Sequence, residues 1–266
     1  MKNTYFDLID QGFYFPQVGF DLKDGFLSFH GISLKYLINK YGTPFKLLYL
    51  PRIGEQIKRA KNLFNRAIKK NNYSGKYHYC YCTKCCHFAH VIKTALKEGV
   101  HLETSSSFDI DLILKLLEEG RVKKSTIVVH NGYKTDQYLE KIVKLNQLGF
   151  KNSILVLDSI SEIHKVKEYA ARLEKPLKIG IRMAIDEEPQ SSYYTSRLGI
   201  RPSDIPGLYH DHIKGDSTLL LKMFHLHLIQ LGRYLIVRVL KFEMLTIVIV
   251  LRMYLRVRIV RIIYLH

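Results

Sequence analysis

Lys84 lies near the middle of the segment KYHYCYCTKCCHF, with Cys82 two residues before it and Cys85 directly after it. Before it, three tyrosines alternate with histidine and cysteine, and this period of two is typical of a strand. After it, apolar residues from Phe88 to Leu96 recur at helical spacing, and Gly99 is suited to end the helix. The pattern predicts Lys84 at the C-terminal end of a strand in a βαβ unit, where parallel α/β folds place their chemistry.

A carboxylate and a guanidinium are predicted near that lysine. The next predicted strand carries Glu103, and Arg182 falls at the end of a later strand. Aromatic and cysteine neighbours are expected to desolvate the Lys84 ammonium, which favours the neutral amine that attacks an aldehyde. A lysine, a carboxylate and an arginine at one barrel end suit a cofactor that forms a Schiff base and carries a phosphate. Spacing alone leaves an equal alternative, in which Lys84 only begins a helix.

Alternating strands and helices must position these groups. The predicted strands begin near Phe45, Tyr77, His101, Thr126, Ile154, Leu177 and Leu219, with helices between them. About seven strands joined by helices favour an α/β fold of the (β/α)8 TIM barrel type, and a doubly wound sheet is the alternative. No G-x-G-x-x-G follows the first strand, so the sequence has no dinucleotide fingerprint.

Length and cysteine usage set the broad class. A chain of 266 residues with 47% hydrophobic content suffices for one large α/β domain or two ordinary ones. The first residues mix both charges without an apolar run, so no secretory signal is predicted. All four cysteines lie between Cys80 and Cys86, too close to join distant parts of a fold, which favours a cytoplasmic, reducing compartment. Adjacent cysteines without a distant ligand pair fit zinc badly, so no metal is predicted.

The net charge of +17 is unevenly distributed. From Leu231 onward one acid, Glu243, is outnumbered by basic residues, namely Arg233, Arg238, Lys241, Arg252, Arg256, Arg258 and Arg261. The lysines before this tail are scattered along helix faces, as in IKRAKNLFNRAIKKNN. Solvated helix faces explain this pattern better than a nucleic-acid or membrane patch, so neither partner is predicted.

The sequence changes character near residue 230. From Arg233 to His266 it contains no Gly, Pro, Asp, Asn, Ser or Ala, although a globular segment needs turns. Its longest uncharged stretch is too short to span a bilayer. A reading-frame shift near residues 226–230 explains this composition better than a basic amphipathic membrane anchor. The predicted divisions are a lead-in of residues 1–44, a partial barrel of 45–230 and an anomalous tail of 231–266.

Several motifs together resemble a known family. They are YHYCYCTKCCHF, ALKEGVHLETSSSFDIDL, HNGYK at 130–134, and KIGIRMA with YYTSRLGI at 178–200. This combination, within roughly residues 1–225, resembles the fold-type III pyridoxal-phosphate decarboxylases and is most similar to bacterial biosynthetic arginine decarboxylases. The resemblance implies an alanine-racemase-type barrel, pyridoxal phosphate and decarboxylation of a basic amino acid, arginine to agmatine, in polyamine biosynthesis. Diaminopimelate or ornithine as substrate, and a non-catalytic pyridoxal-phosphate-binding barrel, stay as alternatives.

The resemblance also implies roles for single residues. Lys84 matches the Schiff-base lysine, Glu103 the acid that supports the cofactor region, and Arg182 the arginine near the cofactor ring. In HLHL at 225–228, His227 is the better match to a histidine stacked on the pyridine ring. The family's glycine-rich phosphate loop, its acid for the pyridine nitrogen and its C-terminal β-domain are not found beyond this point. We therefore expect an incomplete barrel that is inactive as this chain, whereas intact members form homodimers.

Overall fold

The computed structural model describes residues 19–23, 25–184, 198–226, 246–249 and 261–265. The chain divides into two compact units, residues 1–49 with 256–266 and residues 50–255. The domain boundaries expected after residues 44 and 230 stay a prediction.

The described part of the first unit contains short strands and one helix. Its elements are β1 (Phe20–Lys23), β2 (Phe26–Phe29), β3 (Ile32–Ser33), α1 (Leu34–Tyr41), β4 (Phe45–Tyr49) and the last strand of the chain, β12 (Arg261–Leu265). The first three strands form an antiparallel sheet, and β4 pairs with β12 in parallel. The Ser33 side chain begins α1 by accepting a hydrogen bond from the Tyr36 N–H at 3.3 Å.

The second unit alternates strands with helices. In chain order these are α2 (Pro51–Lys70), β5 (Cys80–Cys82), α3 (Ala89–Lys97), β6 (His101–Thr104), α4 (Ser107–Glu118), β7 (Val128–His130), α5 (Asp136–Gln147), β8 (Ser153–Leu157), α6 (Ile163–Ala170), β9 (Leu177–Met183), α7 (Ile205–Leu208), β10 (Leu219–Leu226) and β11 (Thr246–Ile249). Residues 83–85 and 160–162 form single 3-10 turns, and 209–213 form a π turn. All seven strands are parallel.

The winding of this sheet distinguishes a barrel from a doubly wound sheet. The strands lie side by side in sequence order from β5 to β11, without the reversal that defines double winding. One face buries apolar side chains of α3 to α6, including Ile92, Ile113 and Ile142. The other face carries its own small cluster, with Val129 and Met223 at its centre. Helices on one side and strand side chains packed on the other are the layers of a (β/α) barrel.

The large sheet has seven strands, as many as the sequence predicts, but not the same seven. The predicted first strand, β4, lies in the two-stranded sheet with β12. The seventh place in the large sheet is taken by β11, which pairs in parallel with β10. Among the described strands, β5 and β11 each have one neighbour, so the barrel is not closed there. Both β11 and β12 come from the anomalous tail, whose origin in a frame shift stays a prediction.

Helix α4 begins one residue earlier than its sequence suggests. Ser107, directly before the apolar pattern of FDIDLILKLL, is predicted from the sequence to be the cap, but Ser106 holds that position and Ser107 is the first helical residue. The Asp109 carboxylate accepts the N–H groups of Ser105 and Ser106 at 2.8 and 3.0 Å. The correction arises because Asp109 reaches back three residues, and this spacing closes a capping box at Ser106.

A membrane-crossing helix is not found in the described segments, where no helix combines the required length and apolarity.

A buried histidine joins the middle strands to helix α5. His130 is fully buried; its Nδ1 lies 2.8 Å from Thr104 Oγ1 and its Nε2 lies 2.9 Å from Ser153 Oγ. The Tyr138 hydroxyl joins this network through Thr104 Oγ1, which lies 2.6 Å away. Burial, aided by the nearby Lys134 charge, lowers the pKa of His130 to about 3.

Acidification is therefore expected to destabilise the fold through His130. An unfolded histidine gains its proton near pH 6.5, whereas folded His130 stays neutral until about pH 3. The stabilisation is complete above pH 6.5, and the free energy of unfolding falls by roughly 1.4 kcal/mol per pH unit below it. Urea unfolding at pH 7 to 4.5 should show a shallower fall in His130→Gln. The exposed His87 provides the control His87→Gln; equal slopes in all three proteins would contradict the assignment.

Candidate active site at the C-terminal strand ends

Lys84 lies where β5 ends, in the single 3-10 turn of residues 83–85. This turn separates strand from helix, since α3 begins only at Ala89. Lys84 is exposed, and among the described residues it makes no hydrogen bond or ion pair. The expected desolvation by aromatic and cysteine neighbours is therefore wrong, because the turn carries Lys84 beyond the packed sheet into solvent.

Glu103 lies beside this turn on the neighbouring strand. Cys82 and Glu103 are register partners across β5 and β6, and the Thr83 hydroxyl donates to the Glu103 carbonyl at 3.0 Å. The Glu103 side chain is 1% exposed. Its Oε1 accepts from Asn131 Nδ2 at 3.2 Å and from Cys82 Sγ at 3.7 Å. Glu103 is thus a buried carboxyl held by two donors at the strand ends.

The charge state of Glu103 is set by opposing influences. Burial raises the pKa of its carboxyl, whereas the Asn131 hydrogen bond and the Lys84 charge lower it. The Cys82 hydrogen bond and the Arg182 charge also lower this pKa. The two cations, Lys84 and Arg182, therefore both lie close enough to act on the Glu103 carboxyl. Burial dominates, and Glu103 holds a proton to a higher pH than an exposed glutamate does.

Arg182 lies on β9 and is paired with a buried aspartate. Arg182 is 9% exposed, and its Nη1 lies 3.3 Å from Oδ1 of Asp158, which follows β8. Asp158 is itself buried. The predicted position of Arg182 at a strand end is confirmed, and the aspartate holds its guanidinium in place.

The histidine expected on the pyridine ring, His227, falls outside the described residues. His225, two positions earlier on β10, is fully buried and is the register partner of Arg182. His225 therefore shares the end of the sheet with Arg182, a position that the sequence favoured for His227.

A second buried ion pair supports the loops after β7 and β8. Lys134 Nζ lies 3.9 Å from Glu162 Oε2, and both side chains are buried. Glu162 also accepts the Lys134 N–H at 3.3 Å and the Asp158 N–H at 2.8 Å. The Lys134 ammonium donates to the Gly132 carbonyl. Burial lowers the pKa of Lys134, opposed by the charges of Glu162 and Asp158.

Gly132 explains how the loop after β7 approaches β6. Its φ is +87°, and a Cβ at this position would lie 2.6 Å from the Ser105 carbonyl oxygen. Only glycine combines this left-handed backbone with such a close approach. The preceding Asn131 is thereby brought to the Glu103 carboxyl.

Comparison with known protein families identifies the family of this chain. The family described as pyridoxal-dependent decarboxylase, pyridoxal binding domain, matches residues 52–210, which is more than half of the chain. The chain belongs to the pyridoxal-dependent decarboxylases. Pyridoxal phosphate is the cofactor of the matched domain, as the sequence motifs implied.

Curated relatives of this decarboxylase chain share low identity over most of its length. The biosynthetic arginine decarboxylase 2 of Synechocystis sp. is 26% identical over 204 residues, covering 71% of this chain and 31% of the relative. The biosynthetic arginine decarboxylase of Prochlorococcus marinus is 24% identical over 74% of this chain and 32% of its own length. The decarboxylase chain thus spans about a third of the length of these relatives.

Solved structures establish the fold. The diaminopimelate decarboxylase of M. jannaschii in complex with L-lysine has a TM-score of 0.65 at 17% identity, covering 79% of this chain and 48% of that one. The biosynthetic arginine decarboxylase of Campylobacter jejuni has a TM-score of 0.58 at 18% identity, with 86% and 37% covered. The predicted fold class, the barrel of these decarboxylases, is confirmed.

The groups at the strand ends fit pyridoxal phosphate. Lys84 offers an exposed primary amine, and Glu103 a buried carboxyl near it. The Ser105 hydroxyl is buried and meets no partner in the described part of the chain. Strand alternation continued from β6 places Ser105 on the Glu103 face. Because an unpaired buried hydroxyl is costly, a ligand atom there would be stabilising. Lys84, Glu103 and Ser105 are the residues that would hold the cofactor.

Sequence reasoning missed three polar groups of this decarboxylase site. Asn131 binds Glu103, Asp158 binds Arg182, and Ser105 carries the unpaired hydroxyl. Each follows the end of a predicted strand, and that shared position is the signal that could have identified them.

Proposed function

We propose that this chain holds pyridoxal phosphate covalently through Lys84 and descends from enzymes that decarboxylate a basic amino acid, with arginine as substrate. The observation that carries the proposal is the exposed Lys84 amine beside buried Glu103, inside the matched pyridoxal-binding domain. When bound, pyridoxal phosphate supplies the electron sink for the bond that breaks between Cα and the carboxylate.

Each proposed site residue has a physical task. Lys84 supplies the amine that reaches the cofactor aldehyde, and it is free of competing partners among the described residues. Burial raises the pKa of the Glu103 carboxyl, and in the described segments both of its donors meet Oε1. Its Oε2 is then the oxygen that faces a bound ligand. Arg182 supplies a fixed positive charge, oriented by Asp158. His227 is proposed to stack on the pyridine ring.

Arginine is proposed over other amino acids because the curated relatives are named biosynthetic arginine decarboxylases. The solved neighbours include diaminopimelate decarboxylases, so diaminopimelate, ornithine and lysine are the competitors to test. The proposed setting is polyamine biosynthesis in the cytoplasm, with homodimers for intact relatives. The four cysteines form no disulfide in the structure, which fits a reducing compartment.

Two assays test this function. After incubation with pyridoxal phosphate, the lysine link is reduced with borohydride and counted by mass spectrometry. Arginine should compete for the label at a concentration about tenfold lower than ornithine, lysine or diaminopimelate, a difference of roughly 1.4 kcal/mol. In parallel, the release of carbon dioxide from arginine is measured, with the Synechocystis enzyme as positive control. Stronger competition by another amino acid would contradict the arginine assignment.

A second candidate function is a non-catalytic pyridoxal-phosphate-binding barrel. It is favoured by the description of the matched domain, residues 52–210, which concerns pyridoxal binding. This alternative predicts label on Lys84 without carbon dioxide release and without preference among the four amino acids. Release of carbon dioxide would exclude it.

A further inference from the structure

Two cysteines enclose Lys84 in the sequence Cys82-Thr83-Lys84-Cys85. Cys82 ends β5 and is buried, whereas Cys85 ends the following 3-10 turn and is exposed. The 3-10 turn of residues 83–85 has Cys82 directly before it and Cys85 at its end, and the Cys85 side chain influences the pKa of the Cys82 thiol. The two thiols therefore flank one single turn, with the proposed cofactor lysine between them.

The backbone of this turn suits a disulfide. A 3-10 helix rises about 2 Å per residue, so residues three apart are separated by about 6 Å along the axis. Disulfides join Cα atoms that are roughly 4.4–6.8 Å apart. A bond between the sulfurs thus needs side-chain rotation more than backbone movement.

The other two cysteines are less suited to this bond. Cys80 lies two residues before Cys82 on the same strand. It packs against the small apolar cluster that contains Val129 and Met223. Cys86 directly follows Cys85, and its carbonyl accepts from the Tyr81 hydroxyl at 2.8 Å. Pairs of neighbouring residues, or of residues two apart on an extended strand, put their Cβ atoms in poor positions for bonding.

We propose that Cys82 and Cys85 are a dithiol modification site, which a low-molecular-weight disulfide oxidises to an intramolecular disulfide across Lys84. The Cys85 thiolate attacks the small disulfide and releases one small thiol. The Cys82 sulfur then attacks the mixed disulfide at Cys85 and releases the second small thiol. Two protein thiols and one small disulfide become one protein disulfide and two small thiols, so electrons and protons balance.

Exposure assigns the order of attack. Cys85 is accessible to a reagent, and Cys82 is enclosed beside Glu103. The hydrogen bond with Cys85, together with burial, raises the pKa of Cys82. The second step is therefore expected to be the slower one and to accelerate as pH rises.

Oxidation would change the lysine site in two ways. The Cys82 S–H donor to Glu103 Oε1, now at 3.7 Å, would be lost. A covalent ring would also limit the rotation of the turn that presents Lys84. On the basis of the proposed function, we expect the oxidised chain to attach pyridoxal phosphate about tenfold less, roughly 1.4 kcal/mol.

Tryptic digestion detects this disulfide without reference to the cofactor. Trypsin cuts after Lys76, Lys84 and Lys93, so Cys80 and Cys82 fall in peptide 77–84 and Cys85 and Cys86 in peptide 85–93. After treatment with oxidised glutathione, blocking of free thiols and digestion without reductant, the two peptides should be joined. Joining requires a bond across Lys84, because a bond between Cys80 and Cys82 or between Cys85 and Cys86 leaves the peptides separate.

Serine variants identify the pair. Cys82→Ser and Cys85→Ser should abolish the joined peptide, whereas the matched controls Cys80→Ser and Cys86→Ser should retain it. Separate peptides in the wild type, or joined peptides in Cys82→Ser, would overturn the proposal. Cofactor attachment measured on the same samples separates the two ideas. A joined peptide without any attachment in the reduced chain defeats the proposed function only, and equal attachment before and after oxidation defeats the link between disulfide and cofactor.

Discussion

Lys84→Ala abolishes the covalent attachment of pyridoxal phosphate to this chain, measured as the borohydride-fixed pyridoxyl group on peptides of a protease digest. We expect the label to fall by at least about 100-fold, which corresponds to roughly 2.7 kcal/mol of lost attachment free energy. The reason is that Lys84 is exposed, lies at a strand end beside buried Glu103, and makes no hydrogen bond or ion pair with the described residues. A ligand can therefore meet an amine and a carboxyl together.

Two further variants test whether the label depends on the Lys84 amine itself, on its positive charge, or on any exposed lysine. Lys84→Arg keeps the positive charge near Glu103 but has no amine that attacks an aldehyde, so it should also lose the label. Lys76→Ala removes another exposed lysine of the same segment and should keep the label. Label that persists in Lys84→Ala at a single other lysine would move the site to that residue. Circular dichroism of the variants checks that the loss is not caused by unfolding.

Glu162→Ala should lower the free energy of unfolding by about 3–5 kcal/mol, the typical cost of breaking a buried ion pair. The substitution leaves the buried Lys134 ammonium without its carboxylate partner. It also removes the acceptor of the Lys134 and Asp158 backbone N–H groups. Urea unfolding at pH 7 measures the loss, and Glu168→Ala is the matched control. Glu168 pairs with Arg172 while 70% exposed, so its removal should cost less than about 1 kcal/mol.

The double variant Glu162→Ala with Lys134→Met tests the physical cause. Removal of the ammonium should restore part of the stability lost in Glu162→Ala, because no unpaired buried charge then remains. Lys134→Met alone should cost less than Glu162→Ala, since the Glu162 carboxylate keeps two backbone donors. If the double variant loses as much free energy of unfolding as the two single variants together, the charge pair is not the cause of the loss in Glu162→Ala.

Much of the barrel could be predicted because periodicity reports burial directly. The parallel strands β6 to β10 are apolar runs between helical patterns, and each was predicted to within a few residues of its observed bounds. Parallel strands end at the same edge of a sheet, so Lys84, Glu103 and Arg182 could be placed together without coordinates. Strand β4 was also predicted correctly, but its expected place in the barrel was wrong, because it pairs with the distant strand β12.

The environment of the predicted groups could not be deduced in the same way. Lys84 follows buried Cys82 in sequence, yet one 3-10 turn is enough to expose it. Asn131 is found at Glu103 only because Gly132 lets the loop after β7 pass the backbone of Ser105. Such outcomes depend on the backbone angles of single loop residues, which strand and helix periodicity does not report.

The sequence by itself determined the parallel α/β class, the family motifs and the position of Lys84, Glu103 and Arg182 at strand ends, because these follow from residue type and local spacing. Only the tertiary structure decided that Asp158 orients Arg182, that Glu162 compensates Lys134 and that one 3-10 turn holds Cys82 and Cys85 on either side of Lys84. These arrangements bring together side chains from different loops, or from opposite ends of one turn. Their distances and their removal from water, which set the strength of charge and hydrogen-bond interactions, exist only in the folded chain.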